Sequence, residues 1–460
     1  MEKLGMLKKY TSKEIKNSRI SIGFECLDRE LFKPEMCYEL LGKTGVKYAR
    51  CQTGWVRCET EKGKYDFSWL DAVVDSIIAQ GVQVWLNVGY GNPLYMDDIK
   101  NKAAVGCVPL YYGEECIQAW KSYVNALAKH FAGRVHIFEI WNEPESPNFW
   151  YPSVPNPKEY ARLYAITTAE VLKHIPDAKF VATTASEYDF GYIKGMFEAL
   201  KGQQVDYFAY HAHAMYPEVC HGHGQAYLDN VAHLRSILDD AGFTHTQLIQ
   251  GEAGQPSWAP EGHWLYKEGF DNPRAQAVWL LRRFILDHYV GVALSSFFMI
   301  ADIWEKPYEM ATKTIPRAQA NGILNGLSYT PKPSYTAMQH TAALLQGDIK
   351  ASNAYFTASV PEVDICARHA LMRLAFEKDN KPMYVYYLPS AVGEEVYIKD
   401  ALTAFVEAPL DEPVLLDMYT GEVFALSAPA CVQGLAAYES LPLANYPLVL
   451  TERSAIILED

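Results

Sequence analysis

Short apolar runs punctuate the first 300 residues at regular intervals, and amphipathic stretches fill the gaps between them. The runs are "ISIGF" (20–24), "VKYARC" (46–51), "VQVWLNV" (82–88), "RVHIFEI" (134–140), "KFVATT" (179–184), "VDYFAY" (205–210), "TQLIQ" (246–250) and "VALSSFFMI" (292–300). Each is rich in β-branched and aromatic residues and nearly continuous in its apolarity, as a strand covered on both faces must be. In "SWLDAVVDSIIAQG" (68–81), Leu70, Val73, Val74, Ile77 and Ile78 recur at helical spacing, and Gly81 ends the pattern. "EECIQAWKSYVNALAKHFAG" and "PRAQAVWLLRRFILDHY" read the same way. Eight strands alternating with helices predict a parallel (β/α)8 TIM barrel over residues 1–345, with enlarged loops. A doubly wound open sheet is the rival, but no GxGxxG follows the first strand.

Past "TPKPSYTAMQHTAALLQGD" (330–348) the pattern changes. "MRLAFEK", "PMYVYYLPS", "EEVYIKD", "PVLLDMYTGEVFAL" and "SAIILED" are strands separated by turn residues, without a convincing helix. Residues 346–460 therefore form an antiparallel β-sandwich domain. It shows no exposed-looking cluster of aromatics, so it reads as a structural buttress or homo-oligomer contact rather than a sugar-binding module.

Composition narrows the function. The 460 residues are 49% hydrophobic and 21% charged, enough to fill a large interior. A net charge of −14 argues against nucleic acid, whose phosphates require clustered Lys and Arg. No run reaches the length of a membrane span, and the opening "MEKLGMLKKYTSKEIKNS" lacks the apolar stretch of a secretory signal. Nine cysteines without a CxxC pair suggest reduced thiols, and with them a cytoplasmic location. The 10 Trp and 31 Tyr mostly belong to a core, but their flat faces and polar edges also suit a sugar cleft.

Chemistry in such a barrel gathers where the strands end. Glu143, in "EIWNEPESP", lies just beyond the fourth run, and Glu252, in "IQGEAGQPS", just beyond the seventh. A lone Glu after a strand is usually a solvated loop residue. Two of them, each in a small or proline-fixed turn on one rim, form the pair that cleavage of a glycosidic bond needs. One carboxyl donates a proton to the leaving oxygen while the other, ionised, attacks or stabilises the anomeric carbon.

"WNEP" (141–144) after strand four, with a Glu after strand seven, resembles clan A of the glycoside hydrolases, a superfamily of retaining (β/α)8 enzymes. "KYDFSWLDAVVDSIIAQGVQVWLNVGYGNPLY" (64–95), "FFMIADIWE" (297–305) and "KPSYTAM" (332–338) are similar to family 39 and its neighbours. The resemblance implies Glu143 as general acid/base, Glu252 as nucleophile, a carbohydrate substrate and no cofactor. Asn142 is then placed to hydrogen-bond the sugar 2-hydroxyl, and Arg50, ending strand two, to hold Glu252 ionised. Trp304, beyond strand eight, would form an apolar floor for the sugar ring, with Glu305 accepting from hydroxyls. Asn87 and Glu25 point towards the same mouth, as hydroxyl ligands or as loop supports. Trp150 and Tyr151 would line the leaving-group side.

Strand six ends in "YHAHAMYPEVCHGHG". The family usually carries a His here and, two residues later, a Tyr bonded to the nucleophile. His211 fits the first position, but residue 213 is His, so either His213 or Tyr216 is the nucleophile's partner. His211, His213, Cys220, His221 and His223 could instead bind zinc. A zinc-dependent hydrolase and a carbohydrate-binding protein on an inactive barrel are therefore the alternatives to an exo-acting retaining β-glycosidase.

Overall fold

The computed structural model describes residues 1–220, 226–258, 272–303 and 319–459. Eight parallel strands close into a barrel: Ile20–Phe24, Tyr48–Gln52, Gln83–Val88, Ile137–Ile140, Lys179–Thr184, Tyr207–Tyr210, Gln247–Ala253 and Leu294–Phe297. Each coincides with one of the apolar runs. The intervening helices bury one stripe against the barrel, as in Ser68–Ala79, where Leu70, Val73, Val74 and Ile77 are buried. Ile78, expected on that stripe, is exposed instead, in the last turn of the helix.

The barrel interior has a gradient along its axis. Trp85, Val181, Ala209, Ile249 and Leu294 fill the lower layer, with Tyr48, Ile137 and Tyr207 packed against them. Side chains alternate with period two along a strand, so the next inward position lies two residues on. From Tyr48 that position is Arg50; from Trp85, Asn87; from Ile137, Glu139; and from Ala209, His211. An apolar plug at the bottom thus gives way to a charged layer just below the mouth.

The remaining strands form two antiparallel sheets. The larger, seven-stranded sheet orders Glu2–Met6, Glu422–Ala425, Pro413–Asp417, Leu448–Glu452, Lys381–Tyr387, Met372–Lys378 and Ile349–Ala351. The four-stranded sheet orders Phe356–Ser359, Tyr397–Val406, Leu435–Ala444 and Ala430–Val432. Phe356 of the second sheet packs on Tyr384 and Tyr386 of the first. Two details depart from the sequence expectation. The chain's first strand, Glu2–Met6, adds to the edge of the C-terminal sheet by pairing with Glu422–Ala425. "SAIILED", read as a strand, instead follows Leu448–Glu452 with a short 3-10 turn at Arg453–Ala455.

Candidate active site

Arg50 is the hub. Its guanidinium is fully buried and makes four hydrogen bonds: Nε to Glu139 Oε2 at 2.6 Å, Nη1 to Glu252 Oε2 at 2.8 Å and to Glu25 Oε1 at 3.2 Å, and Nη2 to Asn142 Oδ1 at 2.7 Å. One cation from strand two is shared by three carboxylates and an amide drawn from strands one, four and seven. Such a fork suits a guanidinium and not an ammonium, because its planar N–H groups diverge in fixed directions. Glycine at position 23 makes room for this arrangement, since a Cβ there would fall 1.8 Å from Glu25 Oε2.

Glu252 reaches the hub through an irregularity in its strand. Ile249 faces inward, and in an even strand Glu252 would face out. The register to strand eight shifts between Gln250 and Ala253, which re-aims the side chain into the mouth. There Glu252 meets Arg50, and His213 Nε2 lies 3.3 Å from its Oε1. Burial by itself raises the pKa of this carboxyl. The charge of His211, the hydrogen bond from His213 and the Arg50 guanidinium outweigh that effect and hold it well below the usual carboxylate range. The same contact works on His213: burial lowers its pKa, but Glu252 raises it above the ordinary imidazole value.

Glu143 is presented by a strained turn. Trp141 and Glu143 both adopt left-handed backbone, with φ of 68° and 45°, at a cost of about 1–3 kcal/mol each. Three hydrogen bonds hold Trp141 in place: Nε1 donates to Phe149 O at 2.7 Å, N donates to Val88 O at 3.1 Å, and O accepts from Asn87 Nδ2 at 2.5 Å. Trp120, Trp150 and Tyr90 pack edge-on against its indole. Glu143 then projects to His211, whose Nδ1 lies 2.7 Å from Glu143 Oε1 and 3.9 Å from Glu252 Oε2. One oxygen from each carboxylate and a ring nitrogen of His211 all lie within 4.8 Å of one another.

The two histidines of the HxH pair therefore take different hydrogen-bond partners, His211 bonding Glu143 while standing 3.9 Å from Glu252, and His213 bonding Glu252. Among the described residues, His211, His213 and Cys220 form no cluster with metal-ligand spacing; the side chains that do are Glu143, His211 and Glu252. Burial and the Glu187 carboxylate raise the Cys220 pKa, and its thiol faces that carboxylate. His221 and His223 lie outside the described residues, as do Trp304 and Glu305. Of the two candidate partners for Glu252, His213 makes the hydrogen bond, while Tyr216 neighbours the charges of Glu394, Arg282 and Glu218.

Three residues sit deeper than the sequence reading put them. Glu25 and Asn87, expected as hydroxyl ligands or as loop supports, are almost fully buried. Glu25 is tied to Arg50, and Asn87 Nδ2 bridges Glu139 Oε2, at 3.0 Å, and the Trp141 carbonyl. Both support the residues above them. Burial raises the pKa of Glu25 strongly despite the Arg50 charge. Trp150 is also fully buried, its Nε1 donating to Tyr111 Oη, so it backs the Glu143 turn rather than lining a cleft. Tyr151 hydrogen-bonds Asp98 through its hydroxyl.

The sequence reading missed two carboxylates. Glu139 is the partner that pairs most closely with Arg50. Its signal was an acid inside the apolar run "VHIFEI", two residues from Ile137 and so on the same inward face. Glu145, next to Glu143 in the chain, has its carboxyl enclosed although the residue as a whole is half-buried. Its Oε1 accepts from Ser186 N at 2.9 Å.

A curated protein similar to this chain is a beta-xylosidase of Geobacillus stearothermophilus, 28% identical over 120 residues; the match spans 23% of this chain and 22% of that protein. Among solved structures, a family 39 glycoside hydrolase from Bacteroides cellulosilyticus superposes with a TM-score of 0.68 at 18% identity, over 97% of this chain and 83% of that one. A family 39 beta-xylosidase from Caulobacter crescentus gives 0.56 at 17% identity, over 95% and 97%. At such identities these superpositions establish the shared fold. The family model "Glycosyl hydrolases family 39" matches residues 33–387, most of the barrel and the first part of the β domain, and the chain belongs to that family.

Proposed function

We propose that this protein is a retaining β-glycosidase that removes terminal sugars from short oligosaccharides or small glycosides, with β-xylosides as the first substrates to test. The observation that carries the reading is the approach of Glu143 and Glu252, whose nearest oxygens lie within 4.8 Å of each other. Retaining enzymes hold their two carboxyls about 5–5.5 Å apart, and inverting enzymes roughly 6.5–9.5 Å, to admit a water. The xyloside preference rests on the beta-xylosidase similarity alone.

Glu252, kept ionised by Arg50, His211 and His213, attacks the anomeric carbon. As that bond forms, the glycosidic C–O bond breaks and Glu143 passes its proton to the leaving oxygen. Glu143, now a base, takes a proton from water; the hydroxide adds at the same carbon and Glu252 leaves as carboxylate. Asn142, oriented by Arg50 with Oδ1 towards the guanidinium, is placed to hydrogen-bond the 2-hydroxyl as positive charge develops on the ring.

Glu143→Ala and Glu252→Ala should fold normally and lose at least about 10³-fold in kcat on an aryl β-xyloside. Azide should restore turnover in the Glu252 variant and yield a product of inverted configuration. An undiminished rate in either variant would remove the assignment. Binding without cleavage across a panel of aryl glycosides would favour a carbohydrate-binding barrel, and loss of activity with chelator would favour a metal-dependent hydrolase.

A further inference from the structure

The segment that carries His213 is held from behind. After strand six the chain runs through Ala214, Pro217 and Glu218, and three residues on two adjacent turns of the helix Pro273–Tyr289 grip it. Trp279 Nε1 donates to Ala214 O at 2.7 Å, Arg283 Nη2 donates to Pro217 O at 2.9 Å, and Arg282 forms a two-pronged ion pair with the Glu218 carboxylate. The fourth contact comes from the other domain. Tyr387, at the end of the strand Lys381–Tyr387, donates its hydroxyl to Glu218 Oε1 at 2.8 Å. Arg282 Nη1 in turn donates to the Ser390 carbonyl at 2.8 Å, and its guanidinium lies 5.3 Å from the Tyr387 ring centre. Arg282 and Tyr387 are completely buried.

We propose that Tyr387 of the β domain is a positioning residue for the active site, acting through the Glu218–Arg282 pair to fix the segment that holds His213 against Glu252. The C-terminal sheet is then a working part of the catalytic unit as well as a buttress. Glu218 is the pivot because it stands only five residues after His213 and receives both Arg282, from the barrel, and Tyr387, from the sheet. Its carboxyl would be raised by burial, but Arg282 and the Tyr387 hydroxyl hold it lowered, so the charge that anchors the segment persists across neutral pH. The contact between His213 and Glu252 is long, at 3.3 Å, and a small displacement of the segment breaks it.

The inference rests on the reading of Glu252 as nucleophile, and the test separates the two. Tyr387→Phe keeps the buried ring and removes one hydroxyl. Arg274→Gln provides the control, since Arg274 crosses the same domain interface to Val392 O, Glu394 O and Asn445 Oδ1 without touching Glu218. Both variants should be assayed for kcat, KM and melting temperature on the same aryl glycoside. Tyr387→Phe should lower kcat about tenfold, as expected when a catalytic group is misplaced by a fraction of an ångström, with KM changed less than about twofold. Arg274→Gln should lower the melting temperature at least as much and leave kcat unchanged. A kcat for Tyr387→Phe within twofold of the parent overturns the inference, as does an equal fall in kcat in both variants, which marks a merely structural interface. If Glu252→Ala remains active, the nucleophile reading fails instead.

Discussion

At the scale of single residues, the site is organised by unequal treatment of chemically identical carboxyls. Glu252 is paired with Arg50 and His213 and is held ionised. Glu145 is enclosed with only backbone donors, and burial together with the nearby Glu143 charge pushes its pKa up to about 8. The folded protein therefore binds the Glu145 proton more tightly than the unfolded chain does. Its contribution to stability is fully present below the ordinary value of 4.5 and is lost as pH rises through about 8. Glu145→Gln retains an acceptor for Ser186 N and cannot ionise. Its melting temperature should fall less steeply than the parent's between those two pH values, and identical slopes would show that Glu145 does not carry the proton. Glu139 illustrates a different limit of sequence reading. An acid inside an apolar strand is visible in the string, but its meaning depends on an arginine 89 positions earlier facing it.

At the scale of elements, the alternating period of a strand places Arg50, Asn87, Glu139 and His211 on one interior layer without any special device. Glu252 needs one, and the shift between Gln250 and Ala253 supplies it. Gly251 lies within that shift, and a Cβ there would stand 3.0 Å from Ala209 Cβ and 3.5 Å from the His211 ring. Gly251→Ala should therefore displace His211 and the irregular strand together. Overpacking of this kind costs about 1–3 kcal/mol, so the variant should remain folded while losing activity out of proportion to its loss of stability. Denaturant unfolding and kcat/KM measured on the same sample check this; an active variant with unchanged kcat/KM would mean that the strand can shift without moving the site. The turn 141–143 is the corresponding device for Glu143. "WNEP" is readable as a motif, but the left-handed backbone at Trp141 and Glu143 and the tryptophans that brace it are not.

At the scale of the whole molecule, the chain closes on itself. Its first strand, Glu2–Met6, covers the edge strand Glu422–Ala425, and Leu7 N continues the pairing to Gly421 O. Removing residues 1–7 should uncover that edge, lowering the thermal midpoint and promoting self-association through the exposed strand. Scanning calorimetry and light scattering would register both effects, and a truncated chain as stable and as monodisperse as the parent would show the strand to be dispensable. The same sheet, which the first strand extends at its edge, supplies Tyr387 to the loop behind His213.

Local pattern by itself determined the eight strands, the helices between them, the change to antiparallel sheet near residue 346 and the two glutamates at strand ends. Each of these is written in the periodicity or turn chemistry of a few neighbouring residues. Only the tertiary structure decided that Glu139 and Glu25 share Arg50 with Glu252, that His213 rather than Tyr216 hydrogen-bonds Glu252, that Glu25 and Asn87 lie beneath the site, and that the first strand belongs to the last domain. Those outcomes depend on residues tens to hundreds of positions apart meeting in a barrel layer or across a domain interface. Nothing in a short stretch of chain encodes the distance between them.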